Sequence, residues 1–121
     1  MVKALFDSNI LIDHLKGVAA AEVELAKYEA KAISIVTWIE VVVGASPAAE
    51  AGTREFLAGF ELVALDMAVA EEATALRRTH RMRLPDAVVW ASARSTDRLL
   101  VTRNTKDFPA DDPGIRAPYR V

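Results

Sequence analysis

At 121 residues, with 52% apolar and 26% charged residues, five glycines and five prolines, the chain has the make-up of one ordered domain over residues 1–121, neither disordered nor fibrous. A net charge of −2 argues against a basic nucleic-acid coat, and the lack of cysteine excludes disulfides, thiolate metal sites and a thiol nucleophile, as suits a reducing cytoplasm. Met1 leads directly into a short strand-like run without a basic signal segment, and no apolar stretch approaches ~20 residues, so neither secretion nor membrane spanning is expected.

VKALF (2–6) reads as a buried strand, and Ser8 to about Lys16 as a helix stopped by Gly17. Residues 18–31 carry Val18, Ala21, Leu25 and Tyr28 at near-helical spacing with Glu and Lys between them, which predicts an amphipathic helix. AISIV (32–36) is strand-like. The run TWIEVVVGA that follows suits strand or helix by its β-branched residues, and reads as helix because Thr37 can cap it and Gly44 can end it. A helix from Pro47 to Phe60, a strand at 61–65, a helix from Met67 to His80 capped by Asp66 and another from Pro85 to about Arg94 come next. RLLVT (98–102) is a strand, and the proline-bearing tail has room for a short edge strand at 115–118. Strands alternating with helices predict an α/β three-layer sandwich, a parallel sheet of four or five strands covered on both faces. Ligands of such sheets bind at the carboxyl ends of the strands, where the strand order reverses.

Asp7, Glu40 and Asp86 each follow or interrupt an apolar run, and the polar stretch TRNTKD (102–107) follows the strand at 98–102. Each acid has an ordinary explanation: Asp7 as a helix N-cap, Asp86 as a charge favoured by a helix N-terminus. Glu40, flanked by Ile39 and Val41 to Val43, is harder to account for in that way. Converging carboxylates repel unless a cation neutralises them, and oxygen ligands without His or Cys select Mg²⁺ or Mn²⁺. Ser8, Thr37 and Asn104 are placed to orient waters or carboxylates around such an ion, and Ser8 and Asn9 to steady the turn after strand 1.

His14 and His80 share no motif and read as packing or surface residues. Trp38 and Trp90 read as core, not as platforms for stacking bases. Residues 1–60 carry 5 Lys/Arg against 8 Asp/Glu and residues 61–121 carry 10 against 9, with much of the positive charge in RRTHRMR (77–83). That cluster is either a solvated helix end or a local phosphate patch.

Four blocks, LFDSNILID (5–13), ISIVTWIEVVVG (33–44), RLPDAVVWASAR (83–94) and LLVTRNTKDFP (100–109), stand in an order and spacing that resembles PIN-domain ribonucleases, in particular the VapC-type toxins of toxin–antitoxin pairs. The resemblance implies a PIN-like fold, RNA as substrate, a homodimer, and a cognate antitoxin whose C-terminal segment covers the active-site groove. It further implies that Asp7, Glu40 and Asp86 ligate Mg²⁺ or Mn²⁺, with Asn104 completing the catalytic set. In many members an acid stands where this chain has Asn104, a departure that bears on a second metal. Ser8, Asn9, Thr37 and Asp107 are then candidates for positions around the ligands, and Arg81 and Arg83 for contacts to RNA or antitoxin.

Two other readings compete with a metal-dependent endoribonuclease. An aspartyl phosphotransferase using Asp7 as nucleophile lacks its second Asp, because Asn9 stands there, and has no Lys in the strand at 98–102. A catalytically weakened PIN-like domain that only binds RNA or a partner would follow if Asn104 removed an essential charge.

Overall fold

The computed structural model describes residues 2–120. Five strands, β1 (Ala4–Phe6), β2 (Lys31–Ser34), β3 (Glu61–Val63), β4 (Leu99–Val101) and β5 (Ile115–Arg116), form one sheet in the order β3-β2-β1-β4-β5. Every adjacent pair is parallel, with Ala4 opposite Lys31 and Leu99, and Phe6 opposite Val101. From β1 the chain steps outward to β2 and β3, then returns to the other side of β1 for β4. The order therefore reverses at β1, and the carboxyl ends of β1 and β4 lie side by side.

Six helices cover the sheet: α1 (Ser8–Leu15), α2 (Ala19–Ala26), α3 (Ile35–Val43), α4 (Glu50–Leu57), α5 (Met67–His80) and α6 (Leu84–Arg94). Alternation along β1 decides which helices go where. Leu5 packs with Val69, Leu76, Val89, Trp90 and Phe108, so α5 and α6 cover one face. Ala4 and Phe6 pack with Ile10, Leu11, Leu25, Val41 and Leu57, so α1 to α4 cover the other. Residues 87–93 of α6 are all buried, which is why that segment reads as apolar nearly all round.

The helix ends follow their local chemistry. Asp66 caps α5 by accepting from the Val69 amide at 2.9 Å, as its sequence position suggests. Gly17 follows α1 with φ +84°, a left-handed conformation that glycine adopts without penalty. At α3 the expectation fails in detail: the cap is Ser34, whose Oγ accepts from the Thr37 amide at 3.1 Å, and the helix takes in Ile35 and Val36 from the presumed strand. Ser34 stands one turn before Thr37, and the β2–β3 register ends the strand at Ser34.

Three spans are shorter than their periodicity suggests. The helix expected over 18–31 covers Ala19–Ala26, because Lys31 is needed for pairing with β1. The helix expected from Pro47 starts at Glu50 after a turn, and the last strand ends at Arg116. The interior is also less uniformly apolar than expected. Trp90 is core, but Trp38 is half-buried under the Arg54 guanidinium, 5.1 Å from its ring centre. His14 stacks on Phe56 at 4.9 Å, and His80 tilts over Trp90 at 5.0 Å, both far from one another in the packing.

Candidate active site

Asp7 stands where β1 ends and α1 begins. Its amide donates to the Val101 carbonyl at 3.0 Å, which locks the end of β1 to the end of β4. Its carboxylate is 7% exposed and fully engaged: Oδ1 accepts from the Ser8 amide at 2.8 Å, and Oδ2 accepts from Thr102 Oγ1 at 2.7 Å and Asn9 Nδ2 at 3.2 Å. Asp7 is thus the N-cap of α1, as the plain reading of the sequence allows, and simultaneously the centre of a polar cluster. Burial raises its pKa, and the bonds from Thr102, Ser8 and Asn9 only partly oppose this.

Glu40 projects from the solvent-facing part of α3 and Asp86 from the first turn of α6. Desolvation also raises the pKa of both. Beyond burial, the charge of Asp7 and then that of Asp86 push Glu40 up, while the Ser8 side chain and Arg83 pull it down. For Asp86 the upward push comes from Asp107 and Asp7, and Arg83 opposes it. Asp7, Glu40 and Asp86 therefore lie within one another's field, Asp107 acts on Asp86, and Arg83 is the cation that opposes the shift of both Glu40 and Asp86. Among the described residues no three His, Asp or Glu groups stand close enough to enclose an ion as placed.

The remaining expected residues sort by what they touch. Asn9 ties three segments together: its Nδ2 reaches Asp7 and Thr102, each at 3.2 Å, and its Oδ1 accepts from the Arg103 amide at 3.1 Å. Asn104 spends its side chain on Asp107, with Nδ2 donating to Oδ2 at 3.0 Å and Oδ1 accepting from the Asp107 amide at 3.1 Å. It holds a carboxylate where an acid was expected in its own place. Thr37 is buried against Ser34, its hydroxyl 3.5 Å from Ser34 Oγ, and has no bond to the carboxylates. Arg81 ends α5 in the left-handed region, φ 54°, and Arg83 is the N-cap of α6.

Thr102 is the functional candidate that sequence reasoning passed over. Its Oγ1 donates to Asp7, accepts from Asn9 and accepts from the Asn104 amide at 3.0 Å, so one hydroxyl links β1, α1 and the 102–107 loop. Its signal was present in the sequence: a threonine directly after the strand that neighbours β1.

The chain as a whole is similar to known proteins. A PIN domain family model matches residues 4–110. Ribonuclease VapC10 of Mycobacterium tuberculosis is 33% identical over 125 residues, covering 97% of this chain and 93% of that protein. A solved toxin–antitoxin complex from Klebsiella pneumoniae superposes with a TM-score of 0.92 at 42% identity, over 98% of this chain and 100% of the other. DNA-bound VapBC from Salmonella typhimurium follows at a TM-score of 0.78 and 25% identity, over 96% of each chain. The chain belongs to the PIN-domain family and, by these relatives, to its VapC-type group.

Proposed function

We propose that this protein is the toxin of a toxin–antitoxin pair, an endoribonuclease dependent on Mg²⁺ or Mn²⁺ that acts in the cytoplasm. The observation that carries the reading is the convergence of Asp7, Glu40, Asp86 and Asp107 at the point where the strand order reverses. All four are carboxylates, so the donor set suits a hard divalent cation, and burial and mutual repulsion are the penalties such a cation relieves. Asp7, Glu40 and Asp86 would hold it. When bound, a divalent ion supplies a water of lowered pKa and neutralises charge on the phosphodiester.

The chain's own groups do the positioning. Thr102, Ser8 and Asn9 fix the Asp7 carboxylate in one orientation. Asn104 presents Asp107 toward Asp86, which supports assigning the fourth negative charge to Asp107 and counters the reading that Asn104 has weakened the site. Arg83, which opposes the upward shift of both Glu40 and Asp86, is the cation beside them for a substrate phosphate. Arg81 lies two residues away on the turn into α6. His14 is stacked on Phe56 and His80 tilted over Trp90, so neither is assigned as base for the RNA 2′-hydroxyl.

The likeness to toxin–antitoxin complexes supports a cognate antitoxin protein as partner, and the likeness to Ribonuclease VapC10 supports RNA as substrate. A homodimer fits the same family. No helix among the described residues is long and apolar enough to cross a membrane. The test is incubation of the purified protein, freed of antitoxin, with total cellular RNA. Cleavage with Mn²⁺ and none in excess chelator is expected; equal cleavage in both, or none in either, contradicts the assignment.

A further inference from the structure

The loop after β4, which bonds to Asp7 and Asp107, and the C-terminal tail line a cleft of 620 Å³ formed by Arg103, Thr105, Ala110, Ala117, Tyr119 and Arg120. Carboxylates and cleft share that loop. Along the loop, Thr102 bonds to Asp7 and Asn104 bonds to Asp107, whereas Arg103 and Thr105, which alternate with them, line the cleft. The lining carries two arginines and no carboxylate.

Asp13, 6% exposed, gives the cleft its shape. It accepts from Arg103 Nε at 2.6 Å and Nη2 at 3.2 Å, and from the Tyr119 hydroxyl at 2.8 Å. The Arg103 amide is pinned as well, through Asn9. A guanidinium plane and a phenol ring are thus fixed before any ligand arrives. Asp13 neutralises Arg103, leaving it a flat face more than a free charge. Arg120 is exposed at the rim of the cleft and forms no ion pair among the described residues. Planar groups held in advance lose little freedom when a base stacks on them, and an exposed arginine beside them can meet the phosphate.

We propose that this cleft is the subsite for the nucleotide adjoining the cleaved phosphodiester, with its base against Arg103 and Tyr119 and its phosphate at Arg120. The inference rests on the ribonuclease reading. It assigns the cleft to holding the strand in place and not to base selection, because stacking accepts every base.

Binding of a short single-stranded RNA in chelator, followed by fluorescence anisotropy, tests the subsite without cleavage. Tyr119→Ala should weaken binding roughly tenfold. Arg120→Ala should weaken it several-fold and reduce the slope of log affinity against log salt by about 0.7. In Mn²⁺ both variants should raise KM while kcat at saturation stays near wild type. If Tyr119→Ala does not fold, Arg120→Ala at its exposed position decides alone. Wild-type cleavage combined with unchanged affinity and salt slope in Arg120→Ala overturns the subsite and leaves the ribonuclease reading intact. A wild type that cuts no RNA removes both. Loss of affinity for an acidic peptide but not for RNA would mark the cleft as a protein site and overturn the proposal.

Discussion

A carboxylate with three hydrogen bonds and a raised pKa is under two opposing influences, and Asp7 shows how they balance. The bonds orient it, while burial disfavours its ionised form. Asp7→Asn keeps an acceptor for the Ser8 amide but sets its own amide against that of Asn9, a loss of about 1 kcal/mol, set against removal of a desolvated charge. The expected outcome is cleavage reduced at least ~100-fold, with a melting midpoint in chelator within a few degrees of wild type. A large fall in midpoint would make Asp7 a structural cap and nothing more. In the proposed site Asn104 holds Asp107 by two hydrogen bonds, and Asp107 carries the fourth charge. Asp107→Asn should therefore reduce cleavage more than Asn104→Asp increases it, as measured by initial rates on one RNA.

At this scale Asp7, Glu40 and Asp86 can be singled out from the sequence, but for Glu40 the reasoning was off. It was singled out as an acid among buried residues, whereas Ile39 is 50% and Val43 79% exposed and the helix turns that side outward. Thr102 escaped because a hydroxyl after a strand is common and only its neighbours give it meaning. Asp13, one helical turn beyond Asn9 on α1, shares its face, which periodicity could have flagged; its partners lie 90 or more residues away.

Elements are joined by one further buried acid that no local pattern marked. Glu24 of α2 is 2% exposed and pairs with Arg116 of β5 through contacts of 2.6 and 3.0 Å, with Lys27 at 3.1 Å and the Tyr28 hydroxyl at 2.9 Å. It was expected on the charged outer face of its helix. The bidentate pair instead fastens α2 to the last strand, which has only two residues and little ladder of its own. Although its burial works against it, the bonds from Arg116, Tyr28 and Lys27 hold the Glu24 pKa below the usual carboxylate value. A lowered folded pKa means that the pair's stabilisation is present above the unfolded pKa near 4.5 and disappears as pH falls through the folded value. Arg116→Met should cost about 2 kcal/mol at pH 7, less than for a fully buried pair because Arg116 is 38% exposed. The gap between variant and wild type should narrow as pH drops below the carboxylate range, read by urea unfolding at a series of pH values.

Across the whole molecule the fold was largely legible, because parallel strands buried on both faces leave continuous apolar runs and the helices between them have clear stops. The strand ends were less so: β2 yields Ile35 and Val36 to α3, since pairing with β3 stops at Ser34 and a hydroxyl cap there outweighs β propensity. The site acts on the stability of the entire chain. Asp7, Glu40 and Asp86 have raised folded pKa values, so without metal their contribution is fully favourable only below the unfolded carboxylate pKa and is lost as pH rises through the folded values. A cation bound only by the folded state reverses that loss. The rise in melting midpoint on adding Mn²⁺ should therefore be larger at pH 8 than at pH 5, by calorimetry; a rise independent of pH would detach these carboxylates from the ion.

The central claim is that four carboxylates, and no side-chain nucleophile or base, organise the attack of water on RNA. It is tested most directly by the chemistry of the ends left on one cleaved RNA. Water attacking phosphorus leaves a 5′-phosphate and a 3′-hydroxyl, and this pair is the result expected in Mn²⁺. Cyclic phosphates at the new 3′ ends would show that the RNA's own 2′-hydroxyl had attacked, and would contradict the account.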